Sequence, residues 1–141
     1  MPVTNIIHQL ALIEKNVMPG AIIYEDLPES IGDLPVVLHY LPNGNLPFGN
    51  RDATYDFTHN IEARILFSRA DLPSSDAEAK KWIDPMRAAI DKDSKLGFTA
   101  KNSGLTGYRY GQMEYAGTPY IALILTIQAI EKVVAGEVME S

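Results

Sequence analysis

The chain has no cysteine. Disulfides, thiolate nucleophiles, Cys-rich zinc sites and Cys-ligated iron–sulfur clusters are therefore excluded by composition. It also lacks a long apolar run. The most apolar stretch, residues 120–130, is interrupted by Thr126 and Gln128 and falls far short of the roughly 20 residues that span a bilayer. No basic segment followed by an apolar one opens the chain, so a soluble protein without an export signal is expected. Basic residues are scarce, with 12 Lys+Arg against 18 Asp+Glu and a net charge of −6. That balance is wrong for a protein that binds nucleic acid by neutralising phosphates. The nucleotide-cradling G-K-[ST], the hydrolase G-x-S-x-G and the zinc-binding H-E-x-x-H are all missing.

What is present suits one globular domain over residues 1–141. Hydrophobic residues make up 46% and charged residues 21% of the chain, enough to build a core and too apolar for disorder. Residues 4–16 carry Ile6, Ile7, Leu10, Ala11 and Ile13 at helical spacing, with Thr4 as N-cap and Met18-Pro19-Gly20 as the stop. Residues 21–24 and 34–41 read as strands, the second with Pro35 at an edge or a strand start. Residues 42–53 (PNGNLPFGNRDA) hold two Pro, two Gly and three Asn, which predicts a long loop of a kind that is commonly functional. An extended loop region over 42–60 follows from this reading.

Residues 54–69 alternate in the period of a half-buried strand, with Ile61, Ala63, Ile65 and Phe67 on one face. A second helix is predicted from Ser75, with Ser75 and Glu78 as a capping box. Trp82, Ile83, Met86 and Ile90 form its core face, and Pro85 kinks or splits it. A short strand is expected near Phe98. Residues 107–115 and 120–131 read as a hairpin across Ala116-Gly117-Thr118-Pro119, and the tail over 134–141 as frayed. The predicted fold is α+β: a mostly antiparallel sheet of four to five strands with two helices packed on one face.

Chemistry-bearing residues are few. His39 lies mid-strand and His59 near the start of the long strand. If those strands pair, the two could meet, with Asp56 nearby to orient one of them. That makes His39 and His59 the candidate site of a small α+β enzyme or ligand-binding domain. The plainer reading makes them strand residues at a surface or interface. Tyrosines 108, 110, 115 and 120 around the hairpin suit a sheet surface that meets other proteins.

The order of elements resembles the tail terminator and tail-completion proteins of tailed bacteriophages. The resemblance is carried by the helix leading into MPGAIIYEDLPESIGDLPVVLHY, the polar loop and NIEARILFSRADLP. It continues through SSDAEAKKWIDPMRAAI, the KLGF run at 95–98 and GYRYGQMEYAGTPYIALILTIQAIE. It rests on element order and loose patterns along nearly the whole chain, not on an invariant motif. It implies a structural virion protein at the tail–head junction, assembled in the host cytoplasm. That protein has no enzymatic activity, no cofactor and no membrane partner. The implied assembly is a homo-oligomeric ring, a hexamer in the family, that caps the tail tube protein and meets head-completion or connector proteins. DNA passes through such a ring without specific binding, which the negative charge suits. A head–tail connector or stopper is the alternative within the same class. Leu46, Phe48, Arg51, Tyr55 and Arg64 are the candidate interface residues, because apolar side chains beside arginine make up many interface hot spots.

Overall fold

The computed structural model describes residues 3–49, 53–70 and 72–137. It is an α+β fold built on one five-stranded sheet. Helix α1 (Val3–Val17) leads to β1 (Ile22–Tyr24), β2 (Val36–Asn45) and β3 (Thr54–Phe67). Then come α2 (Leu72–Lys80), α3 (Ile83–Lys92), β4 (Asn102–Tyr115) and β5 (Thr118–Val134). The strand order is β1-β2-β3-β5-β4. Only β1 and β2 run parallel; the other pairs are antiparallel.

The alternation in β3 decides which face is which. Ile61, Ala63, Ile65 and Phe67 lie in one apolar cluster with Ile121, Leu123, Leu125 and Ile127 of β5. Ile6 and Leu10 of α1 and Met86 and Ile90 of α3 cover that face, all at 0% exposure. Fully burying such a side chain contributes about 1.5–3 kcal/mol. The opposite face holds a smaller cluster of Val36, Leu38, Leu66, Tyr120 and Ala122, with Ile31 and Leu34 of the β1–β2 connection packed on it. That connection is tied down where the Tyr115 hydroxyl donates to the Pro28 carbonyl.

Several boundaries differ from the sequence reading. Thr4 sits inside α1, not at its cap. Residues 42–45 belong to β2 and residues 54–60 to β3, so the connection between them is only 46–53. A register shift between Tyr40 and Asn43 absorbs Leu41 and Pro42, after which Gly44 pairs with His59. A bulge tolerates a proline that the regular ladder would not. Gly44 suits the close approach there, because a Cβ would lie 3.0 Å from the Thr58 carbonyl oxygen and 3.1 Å from the Phe57 ring, so a neighbour would have to give way.

The second helix is two helices. Pro85 is the third residue of α3, where its missing N–H costs no intrahelical bond. The break falls before it, at residues 81–82. Ser75 is not a cap: α2 begins at Leu72, and the Ser75 hydroxyl donates to the Ser68 carbonyl at 2.6 Å. Trp82 and Ile83 are only partly buried against the core, unlike Met86 and Ile90. No strand forms near Phe98. Residues 138–141 of the tail expected to fray lie outside the described residues, and β5 is paired as far as Val134.

The β4–β5 hairpin closes where Tyr115 pairs with Thr118. Ala116 and Gly117, at φ 51° and 83°, make the two-residue turn with positive φ at both positions that matches strand twist. Replacing Gly117 with alanine is expected to cost about 1–2 kcal/mol, the penalty of a Cβ in left-handed backbone. Urea denaturation measures it.

Candidate functional site

The candidate residues fall into four separate places. Four of the five proposed interface residues are described; Arg51 lies outside the described residues. Leu46 and Phe48 sit on the 46–53 connection at the far end of the sheet from the hairpin. Phe48 is 100% exposed and Leu46 45%. Leu46 and the half-buried Tyr55 line an open cleft of about 660 Å³ together with Asp56, Lys101 and Lys132. The Lys101 ammonium pairs with Asp56 at 3.1 Å. At this end the chain therefore exposes Phe48 and Leu46 beside a cleft that Tyr55 lines, and buried aromatic anchors are frequent at protein interfaces.

Arg64 is not part of that group. Nine residues along β3 from Tyr55, it lies about 30 Å away at roughly 3.3 Å per residue. Its guanidinium donates to Glu62 at 3.0 and 2.7 Å and lies 4.2 Å above the Tyr40 ring. Arg109 of β4 reaches the other Glu62 oxygen at 2.9 Å. Arg64, expected at an interface, here braces β2, β3 and β4 across one sheet face while its side chain stays 24% exposed.

His39 and His59 do not meet, although β2 and β3 pair as that idea required. His39 lies opposite Ala63 and His59 opposite Gly44. Four residues of β3 separate those positions, about 13 Å. Asp56 is engaged with Lys101 and orients neither ring. Nor are the histidines surface residues, since both are buried. His59 Nε2 is 2.9 Å from Glu131, and its ring stacks at 4.1 Å on Phe57.

His39 is locked more tightly. Its Nδ1 lies 2.7 Å from the Tyr24 carbonyl oxygen, and its Nε2 2.7 Å from Glu14 of α1. A carbonyl only accepts, so Nδ1 carries a proton. The Nε2–carboxyl contact then needs a proton of its own. The pair holds it either as imidazolium–carboxylate or as imidazole–carboxylic acid, and titrates as a unit. Burial pulls the His39 pKa down, but the hydrogen bond and charge of Glu14 outweigh it, and the net direction is up. Burial raises the Glu14 carboxyl despite the opposing pull of His39. One α1 side chain thus fixes the helix to β2 and, through the same ring, to β1.

The sign for stability follows. The folded pair keeps a proton that the unfolded chain releases near the ordinary histidine value of 6.5. This contribution is complete below that value and is lost as pH rises through the raised folded value. Glu14 acts in the same direction from its ordinary 4.5 upward. Urea midpoints should therefore fall as pH rises from about 6.5, the ordinary histidine value, into the alkaline range, and the fall should shrink in the double variant His39→Leu/Glu14→Leu. A midpoint that rose over that interval in the wild type would contradict the assignment.

A further feature was not singled out as a site in the sequence. Leu96, Gly97 and Phe98 lie in consecutive left-handed conformation, at φ 48°, 62° and 67°. Left-handed backbone costs a bulky residue roughly 1–2 kcal/mol. The turn is held by Ala100 N–H donating to Lys95 O at 3.0 Å, by Gly97 N–H donating to the Asp93 carboxylate at 3.1 Å, and by the fully buried Leu96. Its outcome is Phe98 standing 85% exposed. Among the described residues no three His, Asp or Glu side chains are grouped as metal ligands would be. No helix among them is long and apolar enough to cross a membrane. Comparison with known protein families and with curated proteins gave no match to the chain.

Proposed function

We propose that this chain is a structural ring protein of a tailed-phage virion, which caps the tail tube and joins it to the head-completion proteins. The observation that carries the reading is the far end of the sheet. There, Phe48 is wholly exposed and Leu46 nearly half exposed on a connection that continues two paired strands. Single exposed apolar residues are common, but two on one projecting connection beside a cleft with two lysines fit a docking surface. The resemblance in element order supplies the assembly. The two histidines, engaged with buried carboxylates, act in this reading as braces of the fold.

A ring that meets a tube end makes several weak contacts at once. Avidity then exceeds a single contact by about 10²–10⁴-fold. The protein should bind tube ends and bind the free tube subunit weakly, which prevents capping during growth. Sedimentation with assembled tubes and with free subunits compares the two directly. Equal affinity for both would remove the capping role.

A further inference from the structure

We propose that Phe98 is the knob of a head-to-tail contact, and that its hole is the groove between α2 and β4 of a second copy of this chain. The inference rests on the ring reading and names the surface through which neighbouring subunits meet.

The knob is built, not incidental. Three consecutive left-handed residues, a buried Leu96 and the Asp93 carboxylate hold Phe98 out in solvent. Lys95 flanks it in sequence, and Lys132 shares the small cleft beside it with Lys101, whose ammonium is held by Asp56. The hole is an open groove of about 490 Å³ lined by Leu72, Pro73, Tyr110 and Ile121. Leu72 is 51% exposed and Tyr110 42%, so its apolar walls are uncovered. Asp76 also lines it, already paired with Lys80 at 2.7 Å. Glu114 follows Gln112 by two residues on the same face of β4 and adds a second carboxylate. Apolar meets apolar, and lysines meet carboxylates.

The groove cannot be filled by its own Phe98. It centres on residues 110–112 of β4, whereas Phe98 precedes the start of that strand at Asn102. Ten strand residues separate the two, about 33 Å. The contact therefore runs between copies. Knob and hole are different surfaces, so every contact leaves one of each free, the geometry that closes into rings when the rotation allows.

The test uses two full-length variants. Phe98→Gly removes the knob, and glycine accepts the left-handed backbone, so the fold is retained. Leu72→Arg blocks the hole at an exposed position. Sedimentation velocity is run on the wild type, on each variant and on their mixture, with circular dichroism confirming the fold. The expected result is an assembling wild type, two monomeric variants, and a 1:1 heterodimer in the mixture that grows no further. Knob-only and hole-only chains can make one contact and no more. A Phe98→Gly or Leu72→Arg protein that assembles like the wild type would overturn this contact while leaving the ring reading intact. So would a mixture that stays monomeric. A wild type that never assembles would overturn the ring reading and the contact with it.

Discussion

Replacing His39 with leucine should lower folding stability by about 3–5 kcal/mol, the usual result of removing one partner from a buried ion pair. That is a large share of the roughly 5–15 kcal/mol that holds a typical domain together. Leucine fills much of the space but leaves Glu14 at 1% exposure facing no donor at Oε1, while its Oε2 already has none. It also strips the Tyr24 carbonyl of its hydrogen bond. The double variant His39→Leu/Glu14→Leu should recover most of the loss, because a buried pair exchanged for apolar residues is often neutral. A double-mutant cycle from urea denaturation isolates the coupling. A loss under about 1 kcal/mol in the single variant would mean that Glu14 finds water or another partner, and the brace would be discarded.

The second large effect concerns the far end of the sheet. Replacing residues 46–53 with four Gly/Ser residues should leave the fold intact, because β2 pairs with β3 only as far as Asn45 and Thr58 and four residues bridge the roughly 13 Å from there to Thr54. It should nevertheless remove tube capping, a drop on the order of the 10²–10⁴-fold avidity of the assembled ring. In a phage carrying this change, tails should overgrow and fail to join heads. Leu46→Ser/Phe48→Ser should act in the same direction without altering chain length. Micrographs of the shortened-loop phage showing normal tails on full heads would separate this connection from capping.

Much of the fold was legible because its signals are local. The alternation of residues 61–67 marks the central strand, and Ala116-Gly117 marks the hairpin by backbone conformation alone. What was lost lay where two local rules competed. Pro42-Asn43-Gly44 reads as a turn, yet the bulge lets β2 run through it and pair with β3. Residues near Phe98 read as a short strand, but they lie in a left-handed turn whose cost is met by burying Leu96. Pro85 pointed correctly to a break without giving its side.

The candidate site was less legible, since its chemistry depends on long-range pairing. Glu14 and His39 are 25 residues apart, and nothing in either strand or helix pattern joins them. One signal was present: Glu14 follows Ile7, Leu10 and Ala11 by seven, four and three residues, which places it on the buried stripe of α1. A carboxylate on an apolar stripe needs a buried donor, and His39, in phase with Val37 on β2, is the one that faces it. Arg64 shows the same dependence on pairing: its contacts with Glu62 and Tyr40 bring together side chains that the strand alternation alone does not connect.

On the proposed function, this chain assembles into a ring that seals a tube. Electron microscopy of the purified protein, alone and mixed with assembled tail tubes, tests it most directly. The account predicts closed rings of one size in the first sample and the same rings seated on tube ends in the second. Compact single subunits in both samples, at concentrations where tubes are saturated with protein, would contradict it.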